Sequence, residues 1–135
     1  MKGFSGSCHC GAIQYSSSSD PVNIQNCHCN DCKKSSGAVY QTNIFIPLSS
    51  FKITGELGKF VHISDRGSQM TKYFCSKCGS HIYGENSFRE GAITIRAGSI
   101  NEKKIIKPLR DIFLSSKIES TPLNVNLDKF EKMPS

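Results

Sequence analysis

Apolar and polar positions alternate in short bursts along this chain. Runs rich in β-branched and aromatic residues fall at 12–16, 38–46, 51–54, 59–63, 70–74 and 92–97, separated by Gly, Pro, Ser and Asn. That punctuation predicts a series of strands and an all-β, or mainly β, fold class with few short helical turns. In Ala92-Ile93-Thr94-Ile95-Arg96 the period is two, so Ile93 and Ile95 are expected to face inward. The longest apolar-rich run ends at Pro47, which cannot donate to a central ladder, so a turn is expected over 47–50. Helix signals are thin: a turn or two after Asn30, and another after Asn101, where Asn could cap and Glu102 would favour the positive end. Residues 16–19 read as a polar connector, and the last residues, about 126–135, as a tail prone to fray.

The 135 residues suit a single domain, 1–135, with its own core. No stretch approaches the roughly 20 apolar residues of a membrane helix, and the first eleven residues are polar and Gly/Ser-rich. The expectation is therefore no membrane association and a reducing, cytoplasmic location, where closely spaced cysteines serve metals in preference to disulfides.

All seven cysteines fall into three clusters: Cys8-His9-Cys10, Cys27-His28-Cys29-Asn30-Asp31-Cys32 and Cys75-Ser76-Lys77-Cys78-Gly79. The last is a knuckle in which two sulfurs face one ion while backbone amides donate to them. A knuckle supplies two of four tetrahedral ligands. The middle cluster has three sulfurs within six residues and can hold an ion alone, which leaves Cys8 and Cys10 to join Cys75 and Cys78. Seven thus divides into a closed, structural site of four cysteines and an open site at Cys27, Cys29 and Cys32 with one corner left for water or substrate. The open corner is where catalysis is expected, and three thiolates suit thiol chemistry better than peptide hydrolysis. Zn²⁺ is the expected ion at both sites, from the softness of the ligands.

Other residues modify this picture. A histidine could close the open site, with His9, His62 and His81 as candidates, whereas His28 lies between two ligands and is expected to support them or face solvent. Ser35-Ser36-Gly37 could approach a ligand or form a plain turn. The formal charge of +6 falls to about +3 once seven thiolates and two Zn²⁺ are counted. Lys103, Lys104 and Lys107 form the densest basic run, without interleaved aromatics, so no nucleic-acid partner is expected. A small anionic substrate could be drawn to Lys33, Lys34, Arg66 or Lys72. Cycling of Cys75 and Cys78 as a disulfide would need a βαβ context that the pattern lacks.

Together these residues resemble the glutathione-dependent formaldehyde-activating family, which also includes centromere protein V. The likeness runs through Gly6-Ser7-Cys8-His9-Cys10-Gly11, Cys27-His28-Cys29-Asn30-Asp31-Cys32, Ser36-Gly37, Phe74-Cys75-Ser76-Lys77-Cys78-Gly79-Ser80 and Ala97-Gly98-Ser99-Ile100. The resemblance implies an Mss4-like zinc-binding fold. It also implies a carbon–sulfur lyase that interconverts S-(hydroxymethyl)glutathione with glutathione and formaldehyde. Cys27, Cys29 and Cys32 would then carry the catalytic zinc, Cys8, Cys10, Cys75 and Cys78 the structural one, and Lys33 and Lys34 could meet the substrate carboxylates. The chain departs from the family near its C-terminus: Asp111 stands where many members carry histidine, and there is no tryptophan. The competing functions are a non-enzymatic zinc module that binds a protein or nucleic acid, and a zinc-dependent redox sensor that releases its ion on oxidation.

Overall fold

The computed structural model describes residues 3–134, and two β-sheets share one core. The strands are β1 (Phe4–Ser7), β2 (Gln14–Ser17), β3 (Asn23–Cys27), β4 (Gln41–Pro47), β5 (Phe51–Thr54), β6 (Leu57–Ile63), β7 (Gln69–Cys75), β8 (His81–Asn86), β9 (Ala92–Arg96), β10 (Arg110–Ile112) and β11 (Asp128–Lys129). β1, β2 and β5 form a small antiparallel sheet in the order β1-β2-β5. The other eight form a second sheet in the order β11-β10-β3-β4-β9-β8-β7-β6. It is antiparallel except where β10 runs parallel to both β3 and β11.

The mainly-β expectation is met, and the alternation in β9 is read correctly, with Ile93 and Ile95 1% and 0% exposed. Pro47 ends β4 and a short 3-10 turn, Leu48–Ser50, follows it. Strands β1, β3, β8, β10 and β11 escaped the pattern because they are short or carry polar residues toward the interior. Ser17, expected in a connector, belongs to β2.

The short helical turn expected after Asn101 is a 3-10 turn, Lys103–Ile105, preceded by Glu102 and without a side-chain cap from Asn101. Glu102 spends its carboxylate elsewhere, accepting hydrogen bonds from the Ser5 amide at 2.8 Å and the Ser5 hydroxyl at 2.9 Å. The expected tail includes β11 (Asp128–Lys129). β11 pairs with β10, and the amides of Phe113, Leu114 and Ser115 donate to the carbonyls of Lys132, Phe130 and Glu131. Residue 135 lies outside the described residues.

Strand register gives the large sheet two unlike faces, because directly paired residues project to the same side. One face carries Ile44 opposite Ile95 and Ile46 opposite Ile93, and packs on the small sheet. Aromatic rings bridge the sheets: Tyr15 to Phe51 at 5.6 Å, Phe51 to Tyr83 at 4.9 Å and Tyr83 to Tyr73 at 4.4 Å between centroids. On the opposite face Arg110, Gln25, Asn43 and Arg96 line up across β10, β3, β4 and β9. Gln25, Asn43 and Arg96 are nevertheless buried, so this face is a covered polar layer.

Asp111 fixes β10 to the rest. It is 2% exposed and accepts hydrogen bonds from Asn26 Nδ2 at 3.2 Å, with His28 Nε2 3.1 Å from the same oxygen. Asp111→Ala would leave two buried groups without their acceptor. It is expected to cost about 2–4 kcal/mol, between a lost buried hydrogen bond and a broken buried ion pair. Urea unfolding of the metal-loaded protein would measure this, and a cost within the surface range of about 0.5 kcal/mol would contradict it.

Candidate metal centres

Strand ends decide where the cysteines go. β3 ends at Cys27, β7 ends at Cys75, and the turn between β1 and β2 carries Cys8 and Cys10. All lie at the same end of the two sheets, because Cys27 pairs with Gln41 at the start of β4 and Cys75 pairs with Leu57 at the start of β6. The topology therefore gathers cysteines far apart in the chain.

Two groups result, Cys8-Cys10-Cys75-Cys78 and Cys27-Cys29-Cys32, each with its sulfurs within 4.8 Å of one another. This is the division expected from the sequence. Sγ separations of 3.6 Å for Cys8 and Cys10 and 3.7 Å for Cys10 and Cys75 suit a shared ion. A tetrahedron with Zn–S bonds of about 2.3 Å has edges of about 3.8 Å. All seven thiols are free.

Amides point at the sulfurs in the four-cysteine group. Ile13 donates to Cys8 Sγ at 3.2 Å, and Lys77 and Cys78 donate to Cys75 Sγ at 3.4 and 3.5 Å. Such bonds favour thiolates and hold ligand sulfurs in place. Ser80 ties the two halves together, its hydroxyl 3.2 Å from Cys78 Sγ and accepting the His9 amide at 3.1 Å. That hydroxyl, first among several hydrogen bonds, pulls the Cys78 thiol down to about 5.

The three-cysteine group sits where β3 runs into the helix α1 (Asn30–Ser36). Cys29 caps the helix, its sulfur accepting the Cys32 amide at 3.3 Å. Gly37 closes it in the left-handed conformation, φ 72°, which glycine adopts without a Cβ clash. The Cys29 thiol is held down to about 2, first by hydrogen bonding with Cys27, then with Cys32, with the Cys32 amide and the Lys72 charge adding. Cys27 is pushed up by hydrogen bonding with the same two thiols and by burial. The trio is thus a single coupled unit, and its ligand set suits a soft divalent ion.

No histidine belongs to either group among the described residues. His9 is exposed, and His62 Nδ1 lies 3.9 Å from Asp31 Oδ2. His28, placed by the sequence between Cys27 and Cys29, is 0% exposed; it meets Asp111, and its ring lies tilted by 36° against Tyr40 at 4.9 Å between centroids. His81 instead lines a cleft of about 580 Å³ beside the cysteines, with Ser36, Tyr40, Gln41, Ser80 and Arg96. One wall therefore comes from the three-cysteine side and another from the knuckle.

Arg96 is the residue that sequence reasoning missed. With period two it falls on the face opposite Ile93 and Ile95, which a two-layer fold would leave to solvent, yet it is 8% exposed. Arg96 NH1 donates to Asn43 Oδ1 at 3.1 Å and Thr94 Oγ1 at 3.0 Å. Gln41 Nε2 donates to the same Asn43 oxygen at 2.8 Å and lies 3.5 Å from Cys32 Sγ. Gly84 makes room for the guanidinium, since a Cβ there would stand 2.6 Å from Arg96 NH2. Lys72, which the sequence did nominate, is also buried, with Nζ 3.5 Å from the Asp31 carbonyl. Lys33 is spent on the Ser116 carbonyl, and Lys34 and Arg66 are exposed. The signal for Arg96 was its register with polar Asn43 and Gln25, legible only once the strands are paired.

A family model described as glutathione-dependent formaldehyde-activating enzyme matches residues 3–116, and the chain belongs to that family. A Fusarium vanettenii protein, provisionally named as such an enzyme, is 30% identical over 122 residues, covering 81% of this chain and 64% of its own length. An Emericella nidulans protein with the same provisional name is 29% identical over 79 residues, 57% of this chain and 40% of that one. The chain thus spans less than two thirds of these relatives. A Rhodobacter sphaeroides crystal structure has the same fold, with TM-score 0.58 at 18% identity, covering 77% of this chain and 96% of that one. No helix among the described residues is long and apolar enough to cross a membrane.

His81 is pushed below its ordinary value of 6.5 by burial, then by the charges of Arg96 and Lys72. In the window between the folded and ordinary values the unfolded chain binds more protons. The stability this neutral ring contributes is therefore present above 6.5 and lost as pH falls toward the folded value. An NMR titration of the ring should give a midpoint below 6.5, and Arg96→Met should raise it; an unmoved midpoint would separate the two residues.

Proposed function

We propose that the protein is a zinc-dependent carbon–sulfur lyase that interconverts S-(hydroxymethyl)glutathione with glutathione and formaldehyde. Cys8, Cys10, Cys75 and Cys78 hold a structural zinc, and Cys27, Cys29 and Cys32 hold a second. The observation that carries this reading is the three-cysteine group, which no histidine completes among the described residues and which adjoins a cleft with a buried arginine. A zinc ion held by Cys27, Cys29 and Cys32 would supply stabilisation of a sulfur anion.

The chain's own groups supply the rest. In the breakdown direction the hydroxymethyl oxygen gives up its proton, a carbon–oxygen double bond forms, and the carbon–sulfur bond breaks with its electron pair left on sulfur. His81, neutral in the cleft wall, is the group placed to take that proton. Lys72 and Arg96 bring positive charge to the side where the sulfur becomes an anion. In the reverse direction the same ring returns the proton. Seven free thiols grouped as ligands suit a reducing compartment, and we assign the protein to the cytoplasm.

Calorimetry of the zinc-loaded protein under anaerobic conditions tests this reading. Glutathione should bind saturably while S-methylglutathione, which cannot form a thiolate, should not. Absence of glutathione binding with zinc present would remove the thiol reading and favour a non-enzymatic module. Native mass spectrometry should find two zinc ions in the protein and one in Cys29→Ala, which should keep its strand content by circular dichroism and lose turnover. Full turnover in Cys29→Ala would reject the assignment of the open site.

A further inference from the structure

Arg96 is buried with only part of its donor set engaged. A guanidinium taken out of water is costly unless an anion faces it, and among the described residues no carboxylate pairs with Arg96. Its neutral partners, Asn43 and Thr94, occupy NH1 alone, and Nε is buried with no partner. Arginine has five donors in a rigid fork that matches a carboxylate.

The cleft that Arg96 lines contains no acidic side chain. Its polar walls are hydroxyls of Ser36, Tyr40 and Ser80, the amide of Gln41 and the His81 ring. Ser80 also touches Cys78, and Gln41 reaches Cys32, so the cleft runs between the two cysteine groups. Its volume of about 580 Å³ lies within the ~300–1,000 Å³ usual for small-molecule sites. Three contacts of hydrogen-bond length connect Cys32 Sγ to Arg96 through Gln41 and Asn43. Gln41 and Arg96 both line the cleft and Gln41 reaches Cys32, so the three-cysteine group adjoins the cleft that the guanidinium faces.

We propose that Arg96 holds a carboxylate of the thiol substrate in the cleft between the two cysteine groups, and so makes the site selective for anionic thiols. This rests on the reading that a thiol meets the three-cysteine site. The alternative role for Arg96 is as a counter-charge to the cysteine sulfurs alone, and the two roles differ in what they do to an uncharged ligand. A counter-charge strengthens every thiol alike, whereas a carboxylate anchor strengthens only those that carry the carboxylate.

The test compares glutathione with an analogue in which both carboxylates are primary amides. Affinities come from calorimetry on the zinc-loaded protein. Sulfur-to-metal charge-transfer bands of a Co²⁺-substituted sample report that the thiol has reached the metal. Wild type should bind glutathione roughly tenfold to a hundredfold more tightly than the amide, the range of a charge-assisted hydrogen bond. Arg96→Met should bring the two affinities together by weakening glutathione alone, and Arg96→Lys should keep only part of the preference.

If neither thiol binds wild type, the thiol reading itself fails and this inference goes with it. If both bind wild type equally, the thiol reading stands and the anchor is wrong, a result that needs no variant and is immune to misfolding of Arg96→Met. Equal weakening of both ligands in Arg96→Met would assign Arg96 as a counter-charge and overturn the proposal.

Discussion

Charge at the converging strand ends is the constraint on which the rest of this structure depends. Seven thiols brought together at one end of two sheets cannot all ionise beside one another without compensation. The protein answers differently at its two groups. Around Cys8, Cys10, Cys75 and Cys78 the compensation is local: backbone amides and the Ser80 hydroxyl point at the sulfurs. Around Cys27, Cys29 and Cys32 full charges take part, with Lys72 acting on Cys29 and Arg96 acting first on Cys32. One group is thus served by amides and a hydroxyl, the other by buried full charges beside a cleft.

The second sheet is built around that demand. An antiparallel sheet in a small domain commonly buries one face and leaves the other to water. Here the apolar face packs on the small sheet through Ile44, Ile46, Ile93 and Ile95, while the polar face is also covered. Burial of Gln25, Asn43 and Arg96 is tolerable because hydrogen bonds accompany it: Asn23 to Gln25 at 3.3 Å, Gln41 and Arg96 to Asn43 at 2.8 and 3.1 Å. A polar layer of this kind holds its members in fixed positions, which an apolar layer of the same volume would not do for a guanidinium. Gly84 is part of the device, since any side chain there would occupy the place of Arg96 NH2.

The pair His28 and Asp111 joins the cysteine loop to the short parallel strand. The His28 amide also donates to the Ile112 carbonyl at 3.0 Å, so backbone and side chain act at the same place. Asp111 stands where the family resemblance leads one to expect histidine. Its acceptor-only carboxylate is suited to the two donors that meet it, Asn26 and His28. The difference at this position therefore bears on how the loop carrying Cys27 and Cys29 is supported, through His28.

How much of this was legible in the chain varied with the range of the interaction. The division of cysteines into four and three could be argued from spacing, because a knuckle of two and a cluster of three are local objects whose ligand counts must still complete a coordination shell. Strands with strict alternation, such as β9, were legible for the same local reason. β3 and β8 were not, because Gln25 and Gly84 break the apolar pattern to serve the polar layer, and Asn26 breaks it to meet Asp111. The short turn after Asn101 was legible, but not that Glu102 is claimed by Ser5, a partner 97 residues away. By itself the sequence determined how the cysteines divide between two groups, the mainly-β class and the inward-facing isoleucines. Only the tertiary structure decided that Arg96 and Lys72 are buried beside the three-cysteine group, that His81 lines a cleft outside both cysteine groups, and that His28 faces Asp111. Side-chain burial on a sheet's second face depends on what covers it, and that is settled by contacts between segments far apart in the chain.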